Sequence, residues 1–212
     1  MLLREVIYEV IESYQGGTPT DDNRLRPRRV YAALRMARKE VLRVAKEKKQ
    51  ATTSYNLTTV SCIPTEETTF HECGCLPVQG CTIRKVLCDF RGADIMDVTY
   101  QDGSVRFSEV DWSRLAYISG EKYTSKAKRF FVKNGIVFIL NGNEKNLTVR
   151  GSFDDPVLAQ LCSECSTTDC TSPLDLDFSV DQEYMPLIII RAKELLNQNK
   201  EDAKNDELET IQ

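Results

Sequence analysis

The spacing of apolar residues changes twice along this chain, and that change limits the folds open to it. Apolar side chains recur every three or four residues near both ends, but alternate with polar ones between Thr52 and Phe153. The first pattern is typical of one face of a helix, and the second of a half-buried strand. The sequence therefore predicts an α+β fold in which terminal helices bracket a central β-sheet.

Two helices are predicted before the sheet and one after it. The first covers residues 1–15, the second runs from near Pro27 to about Lys48, and the third covers about Met185 to Gln198. Proline suits the first turn of a helix, where its missing N–H is not needed. The three apolar faces comprise Leu3, Val6, Ile7, Val10, Ile11 and Tyr14; Val30, Ala33, Leu34, Ala37, Val41, Val44 and Ala45; and Met185, Ile188, Ile189, Ala192, Leu195 and Leu196. We expect the first two helices to form a hairpin and the third to pack with them as one bundle.

Short turn sequences predict how the central strands connect. Asn134-Gly135 separates two apolar segments, and this dipeptide supplies both positive-φ positions of a type I′ turn. Asp102-Gly103 repeats the pattern between two alternating segments. Because such turns join antiparallel strands, we expect an antiparallel sheet, folded as a β-sandwich or small barrel. The predicted boundaries are 1–50 for the helical hairpin, 51–180 for the β domain with its cysteine loops, and 181–212 for the last helix and a polar tail.

Composition restricts the compartment expected for the chain. The N-terminal segment is amphipathic and contains acidic residues, unlike a signal peptide, and no segment approaches the roughly 20 apolar residues of a membrane helix. We therefore expect a cytosolic product without membrane contact. In that reducing compartment, the eight cysteines are thiols or metal ligands in the first instance. Disulfides formed outside the cell are a further alternative.

Few residues suggest catalysis. The single histidine, His71, lies in a glycine-containing loop, with neither a nucleophile elbow nor a phosphate-binding glycine motif elsewhere. A dyad of His71 with a cysteine is one alternative, and an exposed or partner-facing histidine is the other. The acidic pairs Asp21-Asp22 and Asp154-Asp155 suit Mg²⁺ in nucleases, but they also suit turns and helix starts. No catalytic residue and no cofactor are predicted.

Zinc is the one metal that the sequence suggests. Its candidate ligands cluster in two loops and comprise His71, Cys73, Cys75, Cys81, Cys162, Cys165 and Cys170. A structural zinc ion takes four such ligands, often from two C-x2-C pairs, and only Cys162 and Cys165 have that spacing. A composite site built from both loops is one interpretation. Buried or loop thiols, packing as small apolar side chains, are the other.

Positive charge concentrates on the second predicted helix. Between residues 24 and 49 there are eleven basic residues and two acidic ones, although the chain carries a net charge of −4. The candidate partner-facing or DNA-facing residues are Arg28, Arg35, Arg38, Lys39 and Lys46. They form either a solvated face or a contact with DNA phosphates or an acidic protein surface, without sequence specificity. The acidic last dozen residues also suggest a charged neighbour.

Four short motifs occur in an order that resembles the portal-proximal ring protein of crAss-like phages, one of the head-to-tail connector or adaptor proteins. They comprise Thr20-Asp21-Asp22 followed by Val30–Arg35 and Arg38; Ser54–Leu57 followed by Cys62; Gly151–Pro156; and Met185–Ile189 followed by Ala192–Leu196. Together they extend over nearly the whole chain.

The resemblance implies a non-enzymatic structural protein of the virion, located in the head-to-tail neck and assembled in the bacterial host cytoplasm. It implies a twelvefold ring of identical copies that binds the portal and adjacent tail or ring proteins and continues the DNA channel. The terminal helices would contact the portal or neighbouring copies, and the sheet would form the ring body. The residues alone leave two alternatives, a zinc-stabilised cytoplasmic binding module and a small phage nuclease or thiol hydrolase.

Overall fold

A computed structural model describes residues 1–15, 25–48, 54–69, 82–90, 92–118, 126–163 and 172–209, with backbone alone at 199–209. The chain forms two compact units. Met1–Asn56 and Ser172–Gln212 make up the first, which we call the helical unit, and Leu57–Thr171 make up the second, the barrel unit. The named strands all lie in the barrel unit, and the three longest helices lie in the helical unit, as the change in apolar spacing predicts.

The helices, in chain order, are α1 (Leu3–Gln15), α2 (Pro27–Glu47), α3 (Leu115–Ile118), α4 (Pro156–Gln160) and α5 (Met185–Glu209). The strands are β1 (Thr58–Glu67), β2 (Ile83–Val86), β3 (Asp94–Tyr100), β4 (Arg106–Glu109), β5 (Arg129–Lys133), β6 (Ile136–Leu140) and β7 (Asn146–Ser152). Short 3₁₀ turns cover Ser54–Asn56, Trp112–Arg114 and Pro173–Asp175.

The helical unit contains the predicted bundle: α2 packs against α5, and α1 contacts both. Its buried side chains are largely those of the three predicted faces, including Val6, Leu34 and Ile188. Val44 is an error in the prediction, because 40% of its side chain is exposed. Helix α5 also extends to Glu209 rather than Gln198. Seven of the eleven added residues are Lys, Glu, Ala or Leu, which have high helix propensity.

The chain start is fixed within the helical unit by backbone pairing. The amide of Leu3 donates to the carbonyl of Leu176 at 3.0 Å, and that of Phe178 donates to the carbonyl of Met1 at 2.9 Å. The terminal ammonium also pairs with Asp177 at 2.6 Å. These contacts join residues from opposite ends of the sequence, which periodicity cannot predict.

The seven strands of the barrel unit form a closed barrel in the order β1-β2-β6-β5-β4-β3-β7. This confirms the small barrel rather than the sandwich. The prediction of a purely antiparallel sheet is wrong at one pair, because β4 and β5 are parallel, with Ser108 opposite Arg129 and Glu109 opposite Phe130. The connection from β4 to β5 is long enough to return the chain in the same direction, unlike a tight turn.

The two predicted hairpin turns differ from each other in backbone conformation. At Asn134-Gly135 both φ angles are positive, 54° and 80°, and β5 and β6 pair directly across the turn, as a type I′ hairpin requires. The β3–β4 hairpin is confirmed, but at Asp102-Gly103 only the glycine has a positive φ. There the Asp102 carboxylate accepts hydrogen bonds from the hydroxyl and amide of Ser104, which lower the pKa of Asp102.

Apolar side chains on β5 and β6 divide between two clusters. Phe130, Val137 and Ile139 belong to the large core of the barrel unit, whereas Phe131 and Phe138 stack in a second cluster at a centroid distance of 5.1 Å. The second cluster includes Leu115 of α3. These two strands are therefore apolar on both faces, which explains why their sequences lack alternation.

Cys62 lies within β1, which continues beyond it to Glu67. The pairing of β1 with β7 shifts register between Val60 and Ile63, and Cys62 itself has φ of 58°. A β-bulge of this kind inserts an extra residue without ending the strand.

Candidate assembly surfaces

Four basic residues form a line along the exposed side of α2. Arg28, Arg35, Lys39 and Lys46 are all exposed and follow one another at intervals of seven, four and seven residues. These intervals keep successive side chains near one line along a helix, over about 27 Å at 1.5 Å per residue. We call these four residues the basic stripe. These are four of the five residues predicted to face a partner or DNA, and that role stays a prediction.

Arg38 does not belong to the basic stripe, and its assignment to the partner-facing set is wrong. Only 1% of its surface is exposed. Its guanidinium donates to the carbonyl of Ser179 at 3.1 Å and to that of Asn56 at 3.4 Å. Asn56 in turn accepts a hydrogen bond from the amide of Asp181 through its side chain, at 2.9 Å. Arg38 therefore stabilises the helical unit internally, which is the usual reason for burying an arginine.

The start of α2 carries charge of the unfavourable sign. Arg26 is the N-cap and makes no side-chain capping hydrogen bond, Pro27 follows, and Arg28 and Arg29 come next, with no acidic residue in the first turn. The N-terminal end of a helix bears partial positive charge, so acidic groups stabilise it and basic groups do not. The arginines belong to the predicted basic segment, whereas their position relative to the helix dipole depends on where α2 begins.

An ion pair joins α2 to α5 inside the helical unit. Nε of Arg191 lies 2.6 Å from Glu40, and another guanidinium nitrogen of the same residue lies 2.8 Å from Glu194. The hydrogen bond with Glu40, followed by that with Glu194, raises the pKa of Arg191. Glu40 is one of the two acidic residues of the basic segment, and its partner is distant in sequence. Local spacing therefore does not predict this ion pair.

A groove of about 880 Å³ lies within the helical unit. Its wall includes Tyr55, Met185 and Ile190, and the side chains of Tyr55 and Ile190 are 71% and 54% exposed. Leu187, on the first turn of α5, is 52% exposed as well. Apolar spacing predicted one packing face for α5 and did not predict this second apolar side. The consecutive isoleucines Ile188–Ile190 indicate a second apolar side, since consecutive residues cannot share one face of a helix.

The barrel unit has a smaller, polar hollow of about 620 Å³. It is lined in part by Arg114, Arg129 and Tyr117, and the Tyr117 side chain is 74% exposed. Trp112, in the adjacent 3₁₀ turn, packs against Phe131 with a centroid distance of 6.0 Å. Arginine and aromatic residues are common at protein interfaces.

One of the candidate zinc ligands is a disulfide cysteine in the structure. Cys162 is bonded to Cys88, so the alternative of a disulfide applies to this residue, and neither cysteine is a free thiol. The other candidate ligands lie outside the described residues: His71, Cys73, Cys75, Cys81, Cys165 and Cys170. Within the described ranges, no group of three or more His, Cys, Asp or Glu residues could hold a metal ion. A zinc site made of the other cysteines stays a prediction.

The acidic pair Asp154-Asp155 has a structural position. Asp155 is the N-cap of α4, and its carboxylate accepts a hydrogen bond from the amide of Leu158 at 2.9 Å. Pro156 occupies the first helical turn. This is the helix-start interpretation of the pair, because capping satisfies an otherwise unpaired backbone N–H. The other pair, Asp21-Asp22, lies outside the described residues.

The family model for phage tail ring protein 2 of crAss-like phages matches residues 5–209, nearly the whole chain. The chain belongs to this family. It is therefore a phage tail ring protein, which agrees with the resemblance at the level of a structural ring component of the virion. A comparison with curated protein sequences finds no match. None of the helices in the part of the chain that the structure describes is both long and apolar enough to cross a membrane.

Proposed function

We propose that this chain forms a ring in the neck of the virion, where it connects the portal to the tail and continues the DNA channel. The family match over residues 5–209 is the observation that carries this proposal. In the proposal, twelve copies assemble in the cytoplasm of the bacterial host. Each ring binds the portal on one side and an adjacent tail or ring protein on the other.

The two units differ in construction, which supports different roles for them in that ring. The barrel unit closes on itself, so its strand edges are paired within the chain, and a closed sheet resists unwanted edge-to-edge association. It is suited to be the ring body. The helical unit carries the basic stripe and the exposed apolar residues Tyr55, Leu187 and Ile190. Large exposed apolar side chains and concentrated charge are suited to contacts with neighbours.

The proposed role is mechanical rather than enzymatic. Asp155, which the sequence offered as a metal-binding carboxylate, caps a helix, and Arg38 bonds backbone carbonyls. Both chemical groups therefore have structural functions that need no substrate. Substituting His71 and Asp155 together should leave particle assembly unaltered; loss of a hydrolytic or nucleolytic activity on this substitution would contradict the proposal.

Oligomeric state, with and without portal protein, tests the proposal. We expect the purified chain to form rings, and the portal to bind them in a defined ratio by mass photometry. Particle images would then give the copy number and the position of the ring along the neck. A monodisperse monomer with no portal affinity at high concentration would contradict it.

A further inference from the structure

Two helix ends in this chain carry charge that opposes their own dipoles. At the N-terminal end of α2, three arginines, Arg26, Arg28 and Arg29, occupy the cap and first turn, where the partial charge of the helix is positive. At the other extreme, α5 ends at Glu209 with no basic residue in its last turn, where the partial charge is negative. Each arrangement is unfavourable alone, and each would be relieved by a group of opposite charge.

The two ends are complementary in sign and in spacing. Residues 201–209 contain five acidic residues and one basic residue. Three of the acidic residues, Asp202, Asp206 and Glu209, recur at the four- and three-residue spacing typical of one helical face. The first and last of these are seven residues apart, which is also the interval from Arg28 to Arg35 in the basic stripe. Two helices with matched seven-residue intervals can align several opposite charges at once.

We propose that the acidic end of α5 in one copy binds the N-terminal half of the basic stripe, with Arg26 and Arg29, on α2 of the next copy. The occupant of this surface is thus a second copy of this chain. The contact joins two different surfaces, so it is heterologous and continues from copy to copy until the ring closes. This inference rests on the proposed function, because it requires copies to be neighbours in a ring.

Complementary charges raise the association rate and fix the register of such a contact more than they raise its affinity. Exposed ion pairs are individually weak, but several aligned charges next to two helix termini act together. Association should therefore weaken as salt rises, since ions screen exposed charges over about 8 Å at physiological ionic strength.

Charge-swap complementation tests the proposal with the full chain. One variant carries Arg28→Glu and Arg35→Glu, and the other carries Asp202→Lys and Asp206→Lys. Each alone should associate at least about tenfold more weakly than the unmodified chain in sedimentation velocity, the size of a 1.4 kcal/mol change. An equimolar mixture should recover association, because every contact in an alternating ring would then pair opposite charges.

Matched controls place equal charge changes elsewhere. Arg150→Glu with Lys126→Glu replaces the first variant, and Glu12→Lys with Glu144→Lys replaces the second; all four residues are exposed. Far-UV circular dichroism confirms that each variant is folded. We expect the control pairs to associate like the unmodified chain.

Several outcomes would overturn the inference. If all four substitutions in one chain restore association but the mixture does not, the two ends pair within a single copy. If ring formation is unchanged while the Arg28→Glu, Arg35→Glu variant loses affinity for duplex DNA, the basic stripe binds DNA. An unmodified chain that stays monomeric would overturn both this inference and the proposed ring. Rings that respond as expected but do not bind portal would contradict only the proposed position in the neck.

Discussion

The barrel unit and the helical unit are stabilised by different kinds of interaction. In the barrel unit, hydrogen bonds between backbones join strands that are distant in sequence, such as Thr58 of β1 and Gly151 of β7. A helix makes most of its backbone hydrogen bonds internally, so contacts among α1, α2 and α5 are made mainly by side chains. The backbone bond from Leu3 to Leu176 is an exception at the start of α1. We therefore expect a single polar side chain to contribute more to the stability of the helical unit. Backbone pairing and the disulfide should contribute more to the stability of the barrel unit.

Removing the disulfide should have the largest effect on stability among the tests of this contrast. Replacing Cys88 and Cys162 with serine releases a constraint between residues 74 positions apart, and the entropy of the unfolded chain predicts a loss of about 4 kcal/mol in the free energy of unfolding. Trp112, the only tryptophan of the chain, lies in the barrel unit and reports its unfolding by fluorescence. Urea titrations without reductant measure the difference. An unchanged midpoint would show that the bond does not constrain the barrel unit.

Truncating Arg38 tests the side-chain dependence of the helical unit. Arg38→Ala should cost about 3 kcal/mol in the free energy of unfolding, because the buried carbonyls of Asn56 and Ser179 lose a charged donor. Helix loss, followed by far-UV circular dichroism in urea, gives the value. Arg35→Ala is the matched control on the exposed side of the same helix, and it should change stability little. Equal effects of the two substitutions would contradict the assignment of Arg38 as a structural residue.

Substitutions at Gly151 and Gly103 distinguish the cost of a steric clash from the cost of an unfavourable backbone conformation in the barrel unit. A Cβ at Gly151 would lie 2.6 Å from the carbonyl oxygen of Asp94, a backbone atom of the neighbouring strand, so Gly151→Ala should cost about 2 kcal/mol. At Gly103 nothing lies within 4 Å, but φ is +72°, so Gly103→Ala should cost about 1 kcal/mol through conformation alone. Thermal unfolding followed by Trp112 fluorescence compares them. A reversed order would mean that the strand at Asp94 moves aside freely.

The pair of Arg191 and Glu40 should give the smallest effect. Both side chains are more than a third exposed, and solvent screens a pair in that position. Glu40→Gln should lower the midpoint of helix loss by less than Arg38→Ala does, and the difference from the unmodified chain should shrink as salt rises. The pKa of Arg191 should move back towards its ordinary value, because the largest cause of its elevation is removed. An effect as large as that of Arg38→Ala would mean that exposed charge also stabilises the bundle.

The basic residues of α2 show how far periodicity predicts which side chains are exposed. Arg28, Arg35, Lys39 and Lys46 repeat near one line, and the structure exposes all four. Arg38 is three residues from Arg35, which turns it towards the edge of the apolar face. Its long side chain can point either to solvent or inward. The carbonyls that bind it belong to Asn56 and Ser179, and pairings over such distances leave no local signal in a single sequence.

The sequence by itself determined the helix–sheet–helix order, the type I′ turn at Asn134-Gly135 and the basic stripe, because each depends on residues close together in the chain. Closure of the barrel, the parallel pairing of β4 with β5, the Cys88–Cys162 bond and the burial of Arg38 were decided only by tertiary structure. All four depend on which distant segments become neighbours. Local propensity and spacing do not specify those neighbours, because packing and backbone pairing over the whole chain select them.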